Sequence, residues 1–576
     1  MKPQLSLLLS PAPLLAACVN APDVAPPAPA TADGPIALEL TLQEDPLLVL
    51  AAVSFPGDDD GETVVFETES WGGVGPDRED LEAVRFTTAD GAELAHERVD
   101  AHHWKVTHPP GARLVAHAVL PANDEDRRAS FESGSYYRPI LEPGLLHAIG
   151  NLFLLLPEHL NWKAPRELSL TYRGFEEAGW EVVDSFGSGA GPRTAQATLS
   201  EFNHALFVAG DLDVQHRLAA GGPLVVALAG DGWSFDGSEL ADLTARIVGL
   251  ERELMGDAAA GHYLVTAIAV GPESRGLSFG GTGLTNSFAL FLQPNVSIAL
   301  DSEGGLPIRR LLAHECFHEW NGMRIRLAQP EEPSYWFSEG FTDYFARRVL
   351  FEAGWLGEEE YADSLSELLT RYHMSPMRNH TAAELGESFW TDRDAQQQPY
   401  IRGDVVACLL DHELRRASGG TNDLWALMRE LLEECETTGA ELDAEGLLAR
   451  FEHHVGSEAA ERIRRIVLDG DTAELPADAF GPDYVVGEQE VYAWDPGFDV
   501  EASIESMETT GVRPDSPAAQ AGLSDGMALA GVSIYYDDPD REIELTLAGT
   551  GAETIAYLPR GAATSVPAVR VRREAP

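Results

Sequence analysis

One segment, residues 311–348, constrains this chain more than any other. It contains His314, Glu315 and His318 in the spacing H-E-x-x-H, and both flanks have the composition of a helix. Two histidines four residues apart lie one turn apart on the same helix face. Such a pair can bind one Zn²⁺ ion and place the intervening glutamate where it accepts a proton from a bound water. Glu339, in the run WFSEGFTDYF, is the leading candidate for a third ligand.

Two neighbours of this motif have predicted positions, although H-E-x-x-H also occurs by chance in unrelated chains. Asp343 follows Glu339 by one turn, and it either accepts the outer N–H of a zinc-binding histidine or is a solvated helix charge. Cys316 is about 200° round the helix from His314, so it is predicted to be a small buried residue that faces away from the metal. Whether Cys408 and Cys435 pair is left open by the sequence.

Composition limits the possible partners. The chain has 576 residues, which suggests three or four domains, and it carries 94 acidic against 40 basic residues, a net charge of −54. So few positive charges argue against binding nucleic acid or an anionic membrane surface through a basic face.

The first residues have the pattern of an export signal. Residues 1–18 combine Lys2 with an apolar run and small residues, and the run is too short to span a membrane. The last four, Leu-Ala-Ala-Cys, resemble the lipobox of bacterial lipoproteins, which implies that Cys18 is lipidated; the alternative is ordinary secretion. Residues 19–35 are rich in Pro and Ala and suit an extended tether. A lipid-anchored protein of the bacterial cell envelope is therefore expected, and Val19 favours the outer membrane by analogy.

The next part of the chain is predicted to form two folded regions. Residues 36–200 read as a β-rich N-terminal domain, because short β-prone runs alternate with Gly, Pro and Asp. Residues 201–475 mix buried strands with long helical patterns. The glycine-rich run at residues 278–292 precedes the metal motif, and it is either an interior strand or the edge strand that binds a substrate backbone.

The motif and its neighbours resemble a known family. The segments HECFHEWNGMRIR and YWFSEGFTDYF are similar to the glycyl aminopeptidase family of gluzincin metallopeptidases, a relative of the aminopeptidase N family. The resemblance implies one Zn²⁺ ion bound by His314, His318 and Glu339, Glu315 as the general base, and a peptide or protein as the substrate. It also implies a multidomain α+β fold: the β-rich domain, a thermolysin-like domain with a mixed sheet and a helical half, and a PDZ-like β domain.

A second segment resembles the same family. In QQQPYIRGD, Tyr400 matches a tyrosine that hydrogen-bonds the oxyanion of the tetrahedral intermediate, and Arg402 stands where lysine is usual. A phenol can stabilise developing charge in a dry site without carrying charge itself. The alternative is a tyrosine at a helix start that packs on Pro399.

One departure from the family bears on specificity. Gly283, Leu284 and Thr285 stand at the substrate-binding position, where the family has a glutamate that pairs with a free α-amine. Thr285 cannot supply that negative charge. The sequence therefore leaves two peptidase hypotheses, an aminopeptidase that uses another acid and an endopeptidase on the same scaffold.

Residues 484–576 are predicted to form the PDZ-like domain, because VRPDSPAAQAGLSDG resembles the segment that opens the short PDZ helix. Such domains bind extended peptides, often C-termini, by adding a strand to a sheet edge. A purely structural module is the alternative. If the domain binds partner C-termini and catalysis is incidental, the protein is instead an envelope scaffold.

Overall fold

The N-terminal β region, residues 35–210, consists of short strands. The computed structural model describes residues 35–67, 81–123, 126–131, 134–257, 261–271, 277–536, 538–549 and 553–573, so the predicted signal, tether and Cys18 lie outside it. The elements of this region are β1 (Ile36–Glu44), β2 (Leu47–Pro56), β3 (Glu62–Phe66), β4 (Glu82–Thr88), β5 (Ala95–Arg98), β6 (His103–Thr107), β7 (Arg113–Pro121), β8 (Ile140–Glu142), β9 (Leu145–Ile149), β10 (Leu156–Pro157), β11 (Arg166–Arg173), β12 (Glu181–Asp184), β13 (Gly187–Ser188), β14 (Arg193–Ala197), α1 (Leu199–Asn203) and β15 (Leu206–Gly210).

Alternation of apolar and polar residues determines how these strands pack. In β1, IALELTLQE, every second side chain is buried up to Leu42, and β7 follows the same rule. Strands with this pattern place one face on a core and the other towards water. They lie in a six-stranded sheet of order β14-β11-β1-β2-β7-β4, which shares its core with a four-stranded sheet of order β10-β3-β6-β5.

A third sheet joins this region to the rest of the molecule. Its order is β13-β12-β15-β9-β8, so β15 pairs with strands that precede residue 200, where the sequence placed the domain boundary. One side of this sheet packs on the main core of the region, and the other contributes Val208 and Ile149 to a core shared with the next sheet.

The second region begins with a five-stranded sheet of order β16-β17-β18-β20-β19. Its elements are β16 (Leu212–Ala219), β17 (Gly222–Ala229), α2 (Gly237–Met255), β18 (Tyr263–Ala269), β19 (Phe279–Leu284) and β20 (Ser287–Leu292). The three central strands are parallel and almost wholly buried, as their continuous apolar sequences predict. β19 forms an antiparallel hairpin with β20 and lies at the edge of the sheet.

Helices make up the other half of this region. They are α3 (Gly305–Phe317), α4 (Tyr335–Glu352), α5 (Glu358–Met374), α6 (Ala382–Ser388), α7 (Arg393–Ser418), α8 (Leu424–Thr438), α9 (Ala444–Val455) and α10 (Ser457–Asp469), with the short pair β21 (Arg326–Leu327) and β22 (Glu441–Leu442) between them. The prediction of a mixed α+β fold, with a β-rich first part and a helical half, is confirmed.

The C-terminal part forms two small sheets, β23 with β27 and β24-β25-β26. Its elements are β23 (Tyr484–Trp494), α11 (Val500–Ser506), α12 (Pro517–Gln520), β24 (Leu529–Ser533), β25 (Ile543–Leu547), β26 (Thr554–Tyr557) and β27 (Arg560–Val571). β27 packs on α5, where the Ser366 hydroxyl bonds both the N–H and the C=O of Val569. The assignment of this part as PDZ-like stays a prediction.

The three cysteines of the described residues, Cys316, Cys408 and Cys435, are buried free thiols. Cys408 and Cys435 are therefore not paired in this structure.

Within the described ranges, every helix is too short or too polar to serve as a membrane span.

Candidate metal centre

The metal motif lies on α3 as predicted. Leu and Arg are the commonest residues of the helix, and Pro307 is in its first turn, where the missing N–H is least costly. His314 and Glu315 are in the last turn and His318 is the residue that caps the helix. Cys316 packs into the apolar core, as expected from its angle on the helix.

The three predicted ligands converge. Nε2 of His314 lies 3.2 Å from Nε2 of His318, and Oε2 of Glu339 lies 3.4 Å and 3.5 Å from these two nitrogens. Ligand atoms about 2.0–2.1 Å from a tetrahedral zinc ion are about 3.3 Å apart. All three side chains are buried, and they form the one group of this kind in the described residues. The residues therefore fit a zinc ion bound through both Nε2 atoms and one carboxylate oxygen.

The electrostatics of this group favour a cation. Burial alone would lower the pKa of His314, but hydrogen bonds to Asp343 and Glu339 raise it to about 10. Burial would likewise raise the pKa of Glu339, but His318 and His314 lower it to about 2. In the metal-free protein a proton therefore supplies the positive charge that these carboxylates attract. A zinc ion would take over that charge when it displaces the proton.

Both imidazoles are oriented through their other nitrogen. Nδ1 of His314 lies 3.1 Å from Oδ1 of Asp343, and Arg310 lies 3.4 Å from the same oxygen. Nδ1 of His318 donates to the backbone carbonyl of Asn321 at 2.9 Å. Such partners fix the tautomer that leaves Nε2 free for the metal.

Asn321 also anchors the helix that carries the third ligand. Its side chain is completely buried, and Nδ2 lies 3.0 Å from the Phe337 carbonyl, 3.1 Å from the Ser338 carbonyl and 3.1 Å from Oγ1 of Thr342. These groups flank Glu339 on α4. One residue therefore holds His318 through its backbone and the Glu339 segment through its amide.

Trp320 and Arg324, which belong to the segment that resembles the family, stabilise the same turn. Trp320 Nε1 donates to Asp257 at 2.9 Å, and Arg324 pairs with Asp257 and with Glu436 on α8. The contacts of Trp320, Asn321 and Arg324 were not predicted. Their closeness to the metal motif was the only signal in the sequence.

Glu315, the predicted general base, lies beside the candidate ligands. It is buried, and neither carboxyl oxygen accepts a hydrogen bond of good geometry in the described residues. Burial raises its pKa, and the nearby histidines and the Gly283 N–H oppose that shift. A Cβ at Gly283 would lie 3.9 Å from Oε2 of Glu315 and 3.5 Å from Cβ of His318. The edge strand β19 therefore passes directly beside Glu315 and His318.

The three predicted substrate-binding residues differ in their exposure and in their position on the hairpin. Gly283 is partly exposed next to Glu315. Leu284 is buried in the core between the sheets. Thr285 is in the two-residue turn between β19 and β20, and its N–H donates to the carbonyl of His204 at 3.0 Å.

Tyr400 lies within α7 rather than at its start. Its ring is nearly parallel to that of His314, with 6.2 Å between centroids. Arg402 points away from the metal and donates to the carbonyls of Arg378 and His380. The tyrosine therefore lies beside the ligand group, and the arginine has a structural position.

The position of Tyr400 beside His314 depends on a helix contact at two glycines. A Cβ at Gly340 would lie 2.3 Å from Cα of Gly403, and a Cβ at Gly403 would lie 1.8 Å from the Trp336 carbonyl oxygen. Helices α4 and α7 can therefore touch through their backbones only while both residues lack side chains. Gly340 follows the ligand Glu339, and Gly403 is three residues after Tyr400.

Residues 308–403 match the family model described as M61 glycyl aminopeptidase. The resemblance drawn from the sequence is confirmed. The matched residues contain the ligands, Glu315, Tyr400 and both contact glycines. The protein is a zinc metallopeptidase of aminopeptidase-like type, and His314, His318 and Glu339 form a group that could hold its metal ion.

One solved structure agrees with this chain at the level of the fold, and two others are similar over part of it. The structure of an aminopeptidase N family protein from Idiomarina loihiensis is 18% identical, with a TM-score of 0.66 over 93% of this chain and 98% of that chain. An M1 zinc metallopeptidase from Deinococcus radiodurans is 17% identical, with a TM-score of 0.48 over 78% of this chain and 96% of that chain. Yeast LTA4 hydrolase is 14% identical, with a TM-score of 0.49 over 77% and 69%. No sequence among the curated proteins matches the chain.

Proposed function

We propose that this protein hydrolyses peptides at their free N-terminus. The proposal rests on the position of Glu315. This residue is buried beside the converging side chains of His314, His318 and Glu339, and it lies next to the edge strand at Gly283. The endopeptidase hypothesis is not favoured, because the matched family model is that of an aminopeptidase.

Each group has a defined task in this proposal. A bound zinc ion would polarise the scissile carbonyl and acidify a water. Glu315 accepts the proton of that water and passes it to the leaving amine. Tyr400 donates its O–H to the oxygen on which negative charge develops. Gly283, which lacks a side chain, lets the substrate backbone approach Glu315.

The experiment that tests the proposal is Glu315→Gln, assayed on peptides with free N-termini and on the same peptides N-acetylated. Removing the base should lower kcat/KM by about 10²–10⁴ and leave zinc stoichiometry at one, because Glu315 is not a ligand. Glu319→Gln, four residues further along the chain, is the matched control. Full activity of Glu315→Gln, or equal cleavage of acetylated peptides by the unmodified protein, would refute the proposal.

A lipid anchor at Cys18 is also proposed, on the pattern of residues 1–18. It would hold the protein in the bacterial envelope, with the outer membrane favoured. The expected result is a lipid-sized mass increase at Cys18 and recovery in the membrane fraction. Cys18→Ala should abolish both, and an unmodified Cys18 in the mature protein would contradict the proposal.

The C-terminal part is proposed to be PDZ-like and to bind peptide C-termini. The proposal is supported by the short helix α12, which Ser516 caps at its N-terminus within the segment that resembles a PDZ domain. Binding of a C-terminal peptide library to the full chain tests this. Binding that requires a free carboxylate would support the proposal, and no binding would leave a structural module. Strong binding with no peptide hydrolysis would support the scaffold hypothesis instead.

A further inference from the structure

The edge strand β19 has few positions at which a substrate can pair. Leu284 and Ser287 flank the two-residue turn, and residues flanking such a turn form a hydrogen-bonded pair. Bonded pairs alternate along an antiparallel ladder, so Leu284, Thr282 and Gly280 direct their main-chain groups at β20. The outward positions are therefore Gly281 and Gly283, followed by Thr285 in the turn.

The N-terminal β region covers the first of these positions. The Tyr137 hydroxyl donates to the Gly281 carbonyl at 3.0 Å, in a buried contact. Tyr137 packs against Tyr136 with ring centroids 4.7 Å apart, and both rings lie on Phe291 of β20. Burial, followed by Tyr136 and Glu315, raises the pKa of Tyr137, so its hydroxyl remains a donor.

The N-terminal β region also covers the end of β19 that leads into the turn. The N–H of Thr285 donates to the carbonyl of His204, which follows α1. Both residues are buried. From Gly280 to Thr285, Gly283 alone is not buried. It is also the position beside Glu315 and His318.

We propose that the N-terminal β region restricts substrate pairing to Gly283, with Tyr137 as a specificity-determining residue. The inference rests on the proposed peptidase function and specifies its substrate class. Gly281 and Thr285 are each two residues from Gly283, about 6.6 Å along a strand. A peptide that continued as an added strand would need main-chain groups that Tyr137 and His204 already bond. Substrate residues beyond the one paired at Gly283 therefore gain no main-chain hydrogen bond from β19, and peptides as short as dipeptides should be cleaved about as well as longer ones.

A peptide-length series tests this directly. Alanyl peptides of two to six residues with free N-termini are assayed on the zinc-loaded full chain, and the ratio of kcat/KM for the hexapeptide and the dipeptide is compared. In the unmodified protein this ratio should stay within about threefold, because added residues gain no hydrogen bond to β19. Tyr137→Phe releases the Gly281 carbonyl and should raise the ratio about two- to tenfold, the value of one hydrogen bond. Tyr137→Ala also removes the ring and should raise it further.

Tyr136→Phe is the matched control, since it makes the same change in the adjacent ring, and it should keep the original ratio. If Tyr137→Ala does not fold, the ratio measured for Tyr137→Phe alone tests the inference. A hexapeptide preference above tenfold in the unmodified protein, or equal ratios for Tyr137→Phe and Tyr136→Phe, would overturn the inference. Absence of chelator-sensitive hydrolysis even of the dipeptide would instead overturn the proposed function.

Discussion

At the residue scale, Asn321 shows how one residue can position two candidate metal ligands without being a ligand itself. Its backbone carbonyl orients His318, and its side-chain amide bonds the segment around Glu339. Two ligands from different helices therefore depend on one buried residue. Loss of a partner of this kind typically lowers metal affinity or activity by about 10- to 100-fold.

Asn321→Ala should lower zinc affinity about 10- to 100-fold, because the Glu339 segment loses its anchor. Competition with a chromophoric chelator measures it. Asn379→Ala removes an amide that bonds the Gly470 carbonyl and no residue of the metal motif, and it should leave zinc affinity unchanged. Equal zinc affinity in both variants would show that Asn321 has no positioning role.

The ionisation of His314 makes zinc binding dependent on pH. Its pKa is about 10 in the metal-free protein, above the unfolded value near 6.5. The stability that its protonation contributes is fully present below about pH 6.5 and is lost as pH rises towards 10. Zinc must displace this proton, so zinc affinity should rise about tenfold per pH unit between pH 7 and 9. Chelator competition at pH 7, 8 and 9 measures it, and a flat profile would contradict the assignment.

At the scale of elements, the α4–α7 contact brings the third ligand and Tyr400 to the same place. The contact requires glycine at residues 340 and 403, which the sequence marks only as parts of two separate motifs. Backbone contact between helices leaves no flexible side chain that could move aside.

Gly340→Ala should therefore lower the free energy of unfolding by about 1–3 kcal/mol and reduce zinc affinity, because α4 must move away from α7. Thermal unfolding of the metal-free protein and chelator competition measure the two effects. Gly386→Ala in α6, where a Cβ would meet only Glu332 at 3.8 Å, is the control and should be neutral or slightly stabilising. Unchanged zinc affinity in Gly340→Ala would separate the helix contact from the site.

At the scale of the whole molecule, the parts that flank the helical half, α3 to α10, are packed against it. Tyr484 and Val569 of the C-terminal part belong to the same apolar core as these helices. The Ser366 hydroxyl adds two hydrogen bonds to β27. At the other end, the N-terminal β region covers most of the edge strand.

Truncation after residue 475 should therefore destabilise the helical half, α3 to α10, because it exposes the face of α5 that β27 covers. Calorimetry should show a lower Tm for the truncated chain, while Ser366→Ala in the full chain should cause only a small decrease. An unchanged Tm after truncation would mean that the C-terminal part stabilises nothing beyond itself.

The metal chemistry and the class of fold could be predicted from sequence alone. Histidines four residues apart in a helix must share a face, and alternating or continuous apolar runs identify strands with one or two buried faces, so these conclusions follow from local geometry. Only the folded structure shows which distant residues meet: Asn321 with the Glu339 segment, Gly340 with Gly403, and Tyr137 with Gly281. Such contacts join residues far apart in the chain, and no periodicity records them. Specificity belongs to this second group, because the N-terminal β region, not the metal motif, leaves Gly283 open.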